Sequence, residues 1–354
     1  MKTQILSTMR HSLHTCMLTA FFLLIGSFIS VAQNKTLVAT LTHNGDMTVF
    51  YGSDALSQAH SAAENGDVIT LSPGSFTGIT ITKAVTLRGA GDDTQHYDNL
   101  TRIIDKRMVL SVDSTSDKLK VENICFESGI RSSNMIGGHF SCCSINNMSM
   151  SSTRGVIFEH CKLLGATLIY LGCNNSFISC VLDTLSNKVS DYVSDLNTLP
   201  YENSSTSSLS NCIIIRTGAF YEDYDGYYRL ANSSFLNCIF VGSDAIDSSN
   251  KLDYCLIAND SQIDGITGFG NMTLNLNDIS EVFENYSSTF TYTSDYHLSS
   301  FGATFLGSDG KQVGIYGGDV PFSRLYNYPV ITKCEVGQRT DNNGMLTVDI
   351  EVSK

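Results

Sequence analysis

The amino-acid sequence predicts an all-β chain built as a solenoid of short stacked coils. Three observations lead there. A cysteine recurs in one local setting, in SFISCVLDTL at 176–185, SLSNCIIIRT at 208–217 and SFLNCIFVGS at 234–243. The apolar segments are short, rich in Ile, Val and Phe, and separated by polar turn residues. Long helical patterns are almost absent, and the 354 residues include four prolines and no tryptophan.

The recurrence is a repeat. Aligned on Cys238, the matching positions are Ile124, Cys143, Cys161, Cys180, Cys212, Cys238 and Cys255. Three residues before them stand Val121, Phe140, Phe158, Phe177, Leu209, Phe235 and Leu252; two after stand Phe126, Ile145, Leu163, Leu182, Ile214, Phe240 and Ile257. All of these flanking residues are apolar. The spacings are 19, 18, 19, 32, 26 and 17. Polar insertions account for the two long intervals: SNKVSDYVSDLNTLPYENSSTSS at 186–208 and AFYEDYDG at 219–226. A unit of about 18 residues is too short for a helical-hairpin repeat or a propeller blade, and suits one coil of a β-solenoid with about 4.8 Å between stacked strands.

Within the unit, inward residues should lie two apart on a strand. The first gap is three, so one residue breaks the alternation: Asn123, Cys142, His160, Ser179, Asn211, Asn237 or Tyr254. A left-handed bend between two short strands fits, since Asn tolerates that conformation, and Asn side chains at such bends can bond along the solenoid axis. The cysteines then form an internal ladder, Cys143, Cys161, Cys180, Cys212, Cys238 and Cys255, acting as small buried hydrophobes. Disulfides are the rival reading for an exported chain, but side chains equivalent between coils run parallel and do not point at one another. A catalytic thiol is disfavoured, because burial raises its pKa.

The coils resemble the right-handed parallel β-helix proteins of the pectin lyase-like superfamily. Residues 55–91, ALSQAHSAAENGDVITLSPGSFTGITITKAVTLRGAG, are similar to the usual start of such a helix, where a short amphipathic helix caps the open end. DYHLSSFGATFLGSDGKQVGIYGG at 295–318 resembles the closing segment of many secreted members. The resemblance implies a right-handed parallel β-helix of roughly ten coils over residues 36–320. Residues 321–354 read as a β-hairpin appendage turning at DNNG.

Residues 1–32 read as a secretory signal: Lys2 and Arg10 precede the apolar run CMLTAFFLLIGSFISVA, with Ser30 and Ala32 placed for cleavage. The run is short of the ~20 residues that span a bilayer, and no later stretch spans one. The expected address is extracytoplasmic: periplasm, outer surface or medium. Loss of Lys2 and Arg10 takes the formal charge from −13 to −15. That excludes nucleic acid and anionic membrane as partners, both of which need basic surface.

Chemistry is sparse. The resemblance admits polysaccharide lyases and polygalacturonase-like hydrolases, but Arg-x-Lys and Gly-His-Gly elements are missing from the central coils; GGH at 137–139 is a fragment only. Asp92 and Asp93 fall in the first turns, and His160 and His297 read as structural. The feature that breaks the repeat most distinctively is FYEDYDGYYR at 220–229. Tyr221, Tyr224, Tyr227 and Tyr228 offer flat faces for sugar rings, and Glu222, Asp223 and Asp225 offer acceptors for hydroxyls. The alternative is a solvated loop whose tyrosines cover the neighbouring coil. No cofactor is required; calcium has only these carboxylates to recommend it, at spacings unlike an EF-hand. The longer insertion carries Tyr192 and Tyr201, and the two loops are expected to share one cleft. The resulting expectation is an exported, non-catalytic or weakly catalytic protein that binds polysaccharide or a surface glycan. A lyase or glycoside hydrolase is the alternative, and a structural or adhesive surface protein the third reading.

Overall fold

The computed structural model describes residues 37–91, 100–112, 118–133, 135–170, 174–186, 188–189, 206–216, 218–221, 226–229, 231–242, 246–258, 266–275, 278–287, 294–322, 330–340 and 346–353. The leader at 1–32 lies outside them. The chain is mostly β, organised as two long sheets whose strands alternate along the sequence. Sheet A has twelve strands. It opens with β1 (Val38–His43) and β2 (Asp46–Tyr51), a hairpin that joins antiparallel to β3 (Val68–Leu71). From β3 onward every pairing in sheet A is parallel. Sheet B is parallel throughout, from Gly74–Thr77 to Met272–Thr273. This alternation of long parallel sheets is consistent with a β-solenoid.

One constraint produces the corner between the sheets. Asn123, Cys142, His160, Ser179, Asn211, Asn237 and Tyr254 all have φ between 48 and 57°. A non-glycine residue held there costs about 1–2 kcal/mol, less for Asn. At this corner the direction of hydrogen bonding reverses. The N–H of His160 donates forward to the carbonyl of Ile178 (3.0 Å), whereas the N–H of Lys162 donates back to Cys143 (2.9 Å). The residue between them must find another acceptor, and the sulfur one coil on supplies it: Cys161 N–H donates to Cys180 Sγ, and Cys212 N–H to Cys238 Sγ, both at 3.4 Å.

Each thiol in turn donates to carbonyls beside the corner. Cys180 Sγ lies 3.4 Å from Phe158 O and 3.3 Å from Ile178 O; Cys238 Sγ lies 3.5 Å from Leu209 O and 3.4 Å from Leu236 O. Cysteine is thus both a small hydrophobe and a donor–acceptor. The last rung shows the same requirement met by other atoms. Asn271 Oδ1 accepts from Cys255 N–H (3.0 Å), and Asn271 Nδ2 donates to Leu252 O (2.8 Å). All six ladder cysteines are buried, and these six together with Cys125 and Cys142 are free thiols. Burial pushes the thiols of Cys161, Cys180, Cys212 and Cys255 well above their ordinary range.

The apolar rows flanking the ladder stack at the strand spacing. The rings of Phe140, Phe158 and Phe177 lie parallel at 4.8 and 4.9 Å. At the amino-terminal end, helix α1 (Ala55–Ala62) sinks Ala55, Leu56 and Ala59 into this core. Lys83 Nζ closes the helix by donating to the carbonyls of His60, Ser61 and Ala63. Buried His60 accepts the N–H of Thr82 on Nε2 (3.1 Å), so its ring is held neutral, with its pKa lowered by burial and by Lys83.

Two features differ from the sequence expectation. Residues 279–287 and 294–322 do not simply close the end; they pack on the outer face of sheet B. There Val282, Phe283, Tyr296, Val313, Ile315 and Phe322 form a second core over Val181, Ile213, Ile239 and Leu256. Four of the corner side chains, those of His160, Ser179, Asn211 and Asn237, accordingly bond to this return segment. Asn237 Oδ1 accepts Ser308 N–H (2.9 Å), Asn211 Nδ2 donates to Gly314 O (3.5 Å), and both Ser179 Oγ (2.8 Å) and His160 Nε2 (3.3 Å) donate to Val320 O. Close approach requires glycine at 314, where a Cβ would fall 2.7 Å from Ile239 Cδ1. Farther on, Val330–Thr340 and Leu346–Ser353 pair as an antiparallel hairpin.

Two measurements check this account. Native thiol titration should leave Cys125 and the six ladder thiols unreactive until unfolding, and Cys238→Ala should cost about 2–4 kcal/mol in denaturant unfolding by opening a cavity and orphaning the Cys212 N–H. Stability should fall as pH drops through about 6.5, because the folded state holds His60 neutral while the unfolded chain protonates it. His60→Gln should flatten that acid limb. His43, whose pKa is raised chiefly by its hydrogen bond to Asp67 (2.8 Å), works in the opposite sense and loses its contribution as pH rises through its folded value.

Candidate functional site

The two interruptions of the repeat converge. Coils stack in unbroken register across both: Val181↔Ile213↔Ile239 and Leu182↔Ile214↔Phe240. Neither insertion is needed for that stacking. Past the end of the strand Val181–Ser186, Lys188–Val189 pairs antiparallel with Gly226–Arg229, which also pairs with Gly218–Tyr221. The result is a small three-stranded antiparallel sheet made from both insertions. In its register Phe220 faces Tyr227, Ala219 faces Tyr228, and Val189 also faces Tyr228.

The main chain of Tyr221, Tyr227 and Tyr228 is placed in this sheet. The hairpin tip with Glu222, Asp223, Tyr224 and Asp225 lies outside the described residues, as do Tyr192 and Tyr201. At the root of the insertions, Asp183 ties three coils together. It accepts from Arg216 Nη2 (2.9 Å) and from Gly165 N–H (3.1 Å). Its side chain is 15% exposed, whereas that of Arg216 is 53% exposed.

A second surface went unnoticed in the sequence. The return segment covers sheet B at the coils of Val181, Ile213, Ile239 and Leu256; the outer face of sheet A is a strip of partly and fully exposed residues. Its residues alternate with the buried rows, four and two positions before each ladder position. Arg88 Nε–Glu122 Oε2 (2.8 Å) and His139 Nε2–Glu159 Oε2 (3.0 Å) bridge neighbouring coils. Ser176 and Ser208 share a hydrogen bond at 2.9 Å, and Ile157, Leu236 and Phe269 stand exposed among them. The signal was available: these charges and hydroxyls recur at fixed offsets from the ladder positions.

His139 thus lies on the outside, paired, next to inward Phe140. His160 is a corner residue bonded to the return segment. His297 Nδ1 donates to Asp295 Oδ1 (2.6 Å), and its ring stacks on Tyr316 at 3.9 Å. Asp295 is held below the usual carboxylate range by its bonds to His297, against the opposing pull of its partial burial. Asp92 and Asp93 lie outside the described residues. Among the described residues no cluster of three or more His, Cys, Asp or Glu is arranged to hold a metal ion, and no helix is long and apolar enough to cross a membrane. No protein-family model, no curated protein and no solved structure matches this chain.

Proposed function

We propose that the chain is an exported right-handed parallel β-helix of roughly ten coils, capped at its amino-terminal end by α1, that binds polysaccharide through loops on one flank. The observation that carries this reading is the shared sheet built from the two insertions. The scaffold stacks in register without it, which leaves the sheet free for another role, and binding residues concentrate on loops held by a rigid frame. The residue types at its tip and strands supply the chemistry. Tyrosines present flat amphipathic faces to sugar rings, and acidic residues accept hydroxyl hydrogens. Resemblance to the pectin lyase-like superfamily supplies the ligand class. The formal charge of −13 favours a neutral or weakly charged glycan over a polyuronate.

One observation favours a second reading, a glycoside hydrolase or lyase working on the outer face of sheet A. Glu122 and Glu159 occupy one partly exposed row two coils apart, with only Ser141 between them in register. Two strand spacings put them about 9.6 Å apart, near the upper limit of about 9.5 Å for an inverting carboxylate pair. Each carboxylate is already engaged by a neighbouring side chain, Glu122 by Arg88 and Glu159 by His139, which is why binding is preferred.

A glycan array combined with a degradation assay separates the readings. The wild type should retain a polysaccharide without releasing fragments. Tyr224→Ala and Asp225→Ala should each weaken retention about tenfold or more. Release of unsaturated or new reducing-end products, abolished by Glu122→Gln or Glu159→Gln, would replace the binding role with the enzymatic one. A chain that retains no glycan would leave the structural or adhesive role.

A further inference from the structure

Sheet A ends at β2, and the outer edge of that strand pairs with no other among the described residues. β1 and β2 are joined by a two-residue turn, Asn44–Gly45, at φ 50 and 92°, with His43↔Asp46 closing the hairpin. In an antiparallel ladder alternate residues exchange their bonds with the partner strand. Asp46, Thr48 and Phe50 accordingly turn their N–H and C=O groups toward β1, and Met47, Val49 and Tyr51 turn theirs to the open edge. The side chains of the same three residues share one face and are 72%, 43% and 64% exposed. The pairing with β1 runs over six residues without a bulge, and the strand holds neither proline nor lysine; its one charge is Asp46, beside the turn.

We infer that this edge is an interface between two copies of the chain, joined β2 to β2 antiparallel about a two-fold axis at Val49. The strand is self-complementary in that register. Val49 pairs with the partner's Val49 and Met47 with the partner's Tyr51, so the residues that aim their backbone groups outward are those that meet. The register preserves the faces of both strands and joins the two apolar stripes into one. It also places Asp46, the sole charge on the strand, opposite the partner's Gly52, so no like charges face each other. The two-fold closes, and association stops at two.

Other occupants fit less well. The strand at the far end of sheet A, Thr267–Phe269, offers three residues against six and would build an open filament.

The test is sedimentation equilibrium of the purified protein under reducing conditions, from about 1 µM to about 1 mM. A monomer–dimer equilibrium is expected. Val49→Pro removes an edge N–H that β1 does not use, and Val49→Lys places two cations at the axis. Each should raise the dissociation constant at least tenfold, with an unchanged circular dichroism spectrum and, at concentrations where the wild type is monomeric, an unchanged thermal midpoint. Thr48→Pro, which cuts a bond to β1, should lower the midpoint. Val49→Cys should form a covalent dimer on oxidation, because paired strands bring the two Cα atoms to about 5.5 Å; this variant and Val49→Lys carry the test if the proline variant fails to fold. A protein that stays monomeric throughout, a dimer insensitive to all substitutions at Val49, or an open series of oligomers would overturn the inference.

Discussion

The solenoid depends on a left-handed residue at the corner between its two sheets. That conformation lets a coil turn sharply, but it reverses the hydrogen-bond direction and strands the next amide. A buried unpaired N–H costs about 1–3 kcal/mol, and the cost would recur in every coil. Cysteine solves three problems with one side chain: it fills a narrow interior, accepts the stranded N–H and donates to a carbonyl beside the bend. Asn271 establishes that the requirement is for a donor–acceptor and not for sulfur as such, since its amide makes the equivalent pair of bonds where the ladder ends.

This is why so much of the core was legible in the sequence. A residue whose role is forced by backbone geometry must recur at the period of the backbone, and the three-residue gap before each ladder position registers the corner directly. The amino-terminal hairpin was also within reach, because Asn44–Gly45 is a strong two-residue turn signal. The return segment was not. It contributes once, without a period, and its partners lie up to 160 residues away, as His160 and Val320 do. Its trace existed only on the other side of the contact, where the residue after the ladder position changes from Ser144 and Lys162 to Val181, Ile213, Ile239 and Leu256. Those residues give the strands two apolar faces, which implies a cover on both.

The candidate surfaces divide along the same line. The insertions declared themselves by breaking the period, and their strands pair with each other. The outer strip of sheet A is defined by which alternate residues of successive coils become neighbours. Arg88 and Glu122 are 34 positions apart and meet only once the register is known. A sequence read coil by coil sees separate charges, whereas a sequence read row by row would have seen a strip.

The return segment has a mechanical consequence. A stack in which each coil touches only its neighbours comes apart from an end, one layer at a time. Here a single strap is fastened in turn to the coils of Asn237, Asn211, Ser179 and His160, so it works as a splint across several layers. Peeling the last of these coils must first strip the strap from all the others. Tension along the axis is then shared by the group, which should yield as one block instead of unzipping layer by layer.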